Sequence, residues 1–239
     1  MQRNFIPVFF LGVSLFGLGI AMVMALYPLQ APENFLWRKP LVGSIIGPIG
    51  IFGILAVLFP RACSKKIGCN GKHGAPRLKT IVPKKKPALR GHHPDCEKFS
   101  AHIFQIGRRT LCAGCTGLFV GGLMALVGII AYFFGNLYAG QTGFVISWVG
   151  AAGVFFGLVL LPLFNIPWGS IRLFLNAFFA FGSFFILAGV DEIAQNTFVD
   201  LFLVVLIVFW LFTRIILSRW NHERICRSCE VKACEFRKL

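Results

Sequence analysis

The sequence predicts an all-α integral membrane protein: six transmembrane helices, a cytosolic Cys/His metal-binding loop and a Cys-rich C-terminal tail. Three observations carry that expectation. The 239 residues are 56% hydrophobic, with a mean hydropathy of +0.75, far above the apolar content of soluble domains. Apolar runs of about 20 residues, the length needed to cross a hydrocarbon core, recur six times. Charge is segregated between those runs, although 24 Lys+Arg against 9 Asp+Glu leave a net +15.

The runs are 5–26, 41–59, 116–134, 144–164, 173–190 and 198–217. The first five hold no Asp, Glu, Lys or Arg, and the sixth holds Asp200 and Arg214 near its ends. Arg3 ahead of the first run gives it the look of a secretory signal. Its apolar core is longer than a signal's, so it reads as an anchor. Lys and Arg accumulate on the cytoplasmic side of membrane proteins. With both termini cytoplasmic in the cell membrane, 22 of the 24 bases fall inside, and Arg38 and Lys39 fall outside. Asp191 and Glu192, at the outer end of the fifth run, are expected at the surface.

The chain thus divides into helices 1–2 within 1–60, a basic Cys/His loop over 61–111, helices 3–6 within 112–217, and a tail over 218–239. The loop contains GAPRLKTIVPKKKPALRG, whose prolines and lysines suit an extended tether. Lys84, Lys85 and Lys86 could attract anionic lipid head groups beside the bilayer. Residues 61–98 hold no Phe, Tyr or Trp to stack on bases, which argues against nucleic acid. Within the runs, Gly43/Gly47, Gly117/Gly121 and Gly153/Gly157 form small-xxx-small pairs, which let helix backbones approach closely. Trp37, Trp148, Trp168 and Trp220 fall near run ends, where an amphipathic indole belongs.

All eight cysteines lie on the expected cytosolic side. That compartment keeps thiols reduced, so clustered cysteines point to metal ligation or redox chemistry rather than disulfides. Cys96, His102, Cys112 and Cys115 are spaced C-x5-H-x9-C-x2-C, with His92 and His93 as alternates upstream. Zinc takes four thiolate or imidazole ligands, and a C-x2-C pair offers two sulfurs from one turn. The nine residues between His102 and Cys112 can fold back as a hairpin. The same Cys112–Cys115 pair, at a helix N-terminus just after Arg108–Arg109, also suits a redox dithiol, because the helix dipole and cations favour thiolate. In the tail, Cys226, Cys229 and Cys234 form C-x2-C-x4-C. His222, Cys63 or Cys69 would complete a second site, and an iron–sulfur cluster is the alternative cofactor.

The stretch LCAGCTGLFVGG following this cluster resembles the motif of an uncharacterised family of small prokaryotic membrane proteins, a domain family of unknown function. That family has C-x-x-C-T-G leading into a glycine-rich span. LPLFNIPWGSIRLFLNAFFAFG, with Arg172, resembles its polar turn followed by an arginine. The resemblance covers roughly residues 91–190, and Gly114 stands where the bacterial pattern has arginine. It implies architecture and no activity.

Polar groups that would serve a small-solute transporter are sparse within the runs: Asn176, Asp200 and Arg214, with Asn165 and Arg172 at one end. No G-x-S-x-G or H-E-x-x-H motif is present. The leading expectation is a bundle whose structural zinc site serves an assembly or interaction platform with an unknown protein partner. The alternatives are a membrane-bound thiol–disulfide or iron–sulfur electron-transfer protein and a small-solute transporter.

Overall fold

The computed structural model describes residues 5–28, 37–58, 102–106, 109–135, 142–164 and 166–227. Among them are six helices long and apolar enough to cross a membrane. These are α1 (Phe5–Leu26), α2 (Arg38–Leu58), α3 (Ala113–Ile129, continued by a π-helical turn over Ile130–Phe134), α4 (Gly143–Leu163), α5 (Gly169–Ala194) and α6 (Thr197–Arg227). A two-stranded antiparallel hairpin, β1 (Ile103–Ile106) and β2 (Arg109–Cys112), precedes α3. This is the fold-back expected between His102 and Cys112.

Every predicted run is a helix, and the first has the predicted bounds. One difference is at the C-terminal end. Helix α6 continues to Arg227, so residues 218–227, assigned from sequence to the tail, prolong the sixth helix beyond its apolar run. The alternates His92 and His93, Cys96, Cys63, Cys69, the Lys84–Lys86 run, Cys229 and Cys234 lie outside the described residues.

Helix α5 is the centre of the bundle. Of its most apolar 18 residues, 61% are buried, the largest share among the six spans. It packs most extensively on α4 and α3. Glycines make those contacts close. A Cβ on Gly117 or Gly121 would collide with the carbonyls of Leu173 or Ala177 on α5, and one on Gly153 with that of Phe178. A Cβ on Gly157 would run into the Phe179 side chain. Backbone contact of this kind supplies the dispersion that lipid cannot supply by exclusion. Gly43 meets Phe133 and Phe134, whereas Gly47 faces open space, so half of that predicted pair has no packing role.

Helix α1 lies along α6. Ser14 Oγ donates to Thr213 Oγ1 at 2.8 Å, and Trp210 Nε1 donates to the Ser14 carbonyl at 3.1 Å. Trp37 and Trp168 are exposed at helix starts, as interfacial indoles should be.

Successive helices run in opposite directions and leave two polar ends. One carries the hairpin, the starts of α3 and α5 and the end of α6. The other carries the start of α2, the π turn, the end of α5 and the start of α6. Only two residues, Gln195 and Asn196, separate α5 from α6. Gln195 takes the left-handed conformation (φ 48°) that closes α5, its N–H donating to the Asp191 carbonyl. Asn196 Oδ1 accepts from the N–H groups of Phe198 and Val199 at 3.0 and 3.3 Å and so caps α6.

Candidate functional site

At the cysteine end, local structure gathers the thiols and imidazoles. The hairpin register pairs Ile103 with Cys112, which sets His102 beside the start of α3. Cys112 is the extended N-cap residue of α3, and Cys115 sits in its first turn. Both are thiols, not a disulfide, and they lie within hydrogen-bonding reach of each other. His222 arrives from the extension of α6, and its ring centroid is 5.6 Å from that of His102.

These four side chains line one cavity of about 270 Å³. Arg172, Asn176 and Arg214 line it too. Asn176 ties them together: its Nδ2 donates to the Arg172 carbonyl at 2.6 Å, and its Oδ1 accepts from Arg214 Nη2 at 2.9 Å. Arg172 Nε donates to the Ile166 carbonyl at 3.0 Å, while Arg214 Nε is buried without a partner. Among the described residues no carboxylate lines this cavity.

Of the sequence-predicted ligands, the structure brings His102, Cys112 and Cys115 to one place. It adds His222, which the sequence had assigned to a separate tail site. Among the described residues, no three Cys, His, Asp or Glu side chains already stand in an arrangement that holds a metal ion. Two sulfurs and two imidazole nitrogens are nevertheless a zinc-type donor set. Closing it requires side-chain rotation toward a common point. Cys226 lies at the end of α6, one turn beyond His222.

The opposite end contradicts the sequence expectation. Asp191 and Glu192 are buried, at 0% and 9% exposure, not at the surface. Arg38 Nη1 bridges Asp191 Oδ1 and Asp200 Oδ2, the second at 2.6 Å. Lys39 Nζ is 3.4 Å from Glu192 Oε2 and 3.9 Å from Asp191 Oδ2, and it lies 4.2 Å from the Tyr132 ring centroid. Tyr132 Oη is 2.6 Å from Asp191 Oδ2 and 2.8 Å from Glu192 Oε2. The π turn, closed by the Gly135 N–H on the Ile130 carbonyl, carries that tyrosine. Wide turns of this kind are common at functional positions. Burial follows because the two-residue α5–α6 turn sets Asp191 and Asp200 face to face and Arg38 enters between them.

A sequence signal for this cluster was present. Three of the nine acids fall within 191–200, and the two bases assigned to the same side are adjacent in the chain.

Between α3, α4 and α5, a cavity of about 500 Å³ is lined almost wholly by apolar side chains, among them Leu123, Val127, Phe181 and Phe185, with Tyr132 at its margin. Its lining suits an acyl chain of the surrounding lipid.

No family model, no curated protein and no solved structure matches this chain.

Proposed function

We propose that the cysteine end is a zinc clamp in a multi-pass membrane protein that serves as an assembly or interaction platform. Cys112, Cys115, His102 and His222 are its donors. One observation carries this reading: two thiols and two imidazoles, drawn from the hairpin, the start of α3 and the far end of α6, line the same cavity. A zinc ion there would tie 120 residues of chain together and fix the hairpin against the bundle. Cys96 remains a candidate donor, and a third thiolate would offset the positive charge of Arg172 and Arg214.

Those arginines support a second reading. Two cations beside a C-x2-C at a helix N-terminus, with no carboxylate among the described lining residues, favour thiolate. The pair would then exchange as a membrane dithiol.

Zinc and thiol analysis of anaerobically purified full-length protein separates the two. The clamp reading expects one zinc per chain, lost in Cys112→Ser and reduced in His222→Ala. Metal-free protein whose Cys112–Cys115 pair titrates reversibly in a glutathione buffer would reject the clamp and support the dithiol. An iron–sulfur absorption band would reject both.

The cysteine end faces the cytoplasm in this proposal, because 22 of the 24 bases then lie inside. Single cysteines placed at positions 84 and 236 should be protected from an impermeant reagent in sealed cells. Labelling of both would reverse the orientation.

A further inference from the structure

We propose that the charged end, opposite the cysteine cavity, is a proton-binding site in which Asp191, Glu192 and Asp200 share one exchangeable proton. Three features of the cluster support it. Two cations, Arg38 and Lys39, face three carboxyls, so full ionisation would leave one negative charge in excess inside the bundle. Lys39 is partly exposed, at 29%, so its charge is also shared with solvent. Burying an uncompensated carboxylate is expensive enough that such groups take up a proton instead.

The second feature is the orphaned oxygen of Asp200. Its Oδ2 accepts from Arg38, which turns the carboxyl into the cluster, yet its Oδ1 is fully buried and has no hydrogen-bond partner. A carboxylate in that position is compensated on one oxygen only, whereas in the neutral acid the unpartnered oxygen carries far less charge. The third feature is Tyr132. Its hydroxyl has one hydrogen but stands at hydrogen-bond distance from both Asp191 Oδ2 and Glu192 Oε2. It can donate to one of them, and the other contact becomes a hydrogen bond when that carboxyl carries a proton.

No other described charge or titratable group faces the cluster. Helix α4 contributes Gly143, close to the Glu192 side chain, and Ser147, whose hydroxyl is spent on the Gly143 carbonyl. A metal ion is disfavoured as the occupant. Hard cations take six or more oxygens, and here four carboxylate oxygens, Asp191 Oδ1 and Oδ2, Asp200 Oδ2 and Glu192 Oε2, are already engaged by Arg38, Lys39 and Tyr132. The source of the proton is water, and binding converts one carboxylate to the neutral acid.

Infrared spectroscopy of the full-length protein in lipid nanodiscs tests this directly. At neutral pH the wild type should show the C=O stretch of one protonated carboxyl, shifted in D2O and lost on strong alkalinisation. Asp200→Asn and Glu192→Gln each leave two carboxyls for two cations, and the band should vanish in both. Absence of the band in the wild type would overturn the proposal, and that measurement needs no variant to fold. So would a band unchanged in both variants, or one that disappears when sodium replaces choline at constant pH. Metal content at the cysteine end bears on none of these outcomes.

Discussion

The two ends of this bundle treat buried charge in opposite ways. At one, Arg38 meets Asp191 and Asp200 directly, and the cations are outnumbered by carboxyls. At the other, Arg172 and Arg214 approach two thiols and an asparagine, with no carboxylate among the described lining residues. A charged group inside a membrane protein pairs or faces a polar cavity. The first end takes the first course, and the second end the other. The contrast separates an end whose cations meet carboxyls of the chain itself from one whose cavity offers its cations no carboxyl among the described residues.

The sharpest way to break that contrast is at Arg38. Arg38→Ala leaves Asp191 and Asp200 buried without their shared cation, and removing one partner of a buried pair costs about 3–5 kcal/mol. Loss of monodisperse protein, or a much lower melting temperature in detergent, is the expected result. Adding Asp200→Asn to that variant should recover part of the loss. A single variant as stable as wild type would mean that the network does not hold α2 to α5 and α6.

A smaller effect is expected at Arg214, and it sharpens the comparison. Its Nε is already unpartnered, and its Nη2 donates to Asn176 Oδ1. Arg214→Met should therefore change stability by about 1 kcal/mol or less, since apolar replacement of a poorly compensated buried charge is often neutral. The informative readout is chemical. Alkylation of Cys112 in metal-stripped protein should slow, because a cation close to its sulfur has gone. A large loss of stability would place Arg214 in the same structural class as Arg38.

Much of the fold was legible because spanning is a local property. A run of about 20 apolar residues must satisfy its backbone internally and cross as helix. The cysteine end was partly legible for a similar reason: His102, Cys112 and Cys115 are joined by a hairpin of short sequence reach. His222 was assigned elsewhere because Ser218–Arg227 looks like a tail once the apolar run ends at Leu217. The positions Arg214, Ser218, Asn221 and His222 do follow a helical period, and all line the cavity. The charged end was misread. Asp191 and Glu192 look like interface residues until two long-range facts are known: α5 turns into α6 within two residues, and Arg38 packs between them. Neither fact is written in any one segment.

The Arg38 bridge also has a place in time. Arg38 precedes Asp191 by 153 positions and Asp200 by 162, so a ribosome working at about 5–20 residues per second delivers the carboxylates many seconds after the guanidinium. Until then the guanidinium of α2 lacks both of its carboxylate partners. The bundle can close at that end only when the last two helices are made. The bridge is therefore completed only by the C-terminal third of the chain, and a protein cut short before Asp191 carries an unanswered charge on its second helix.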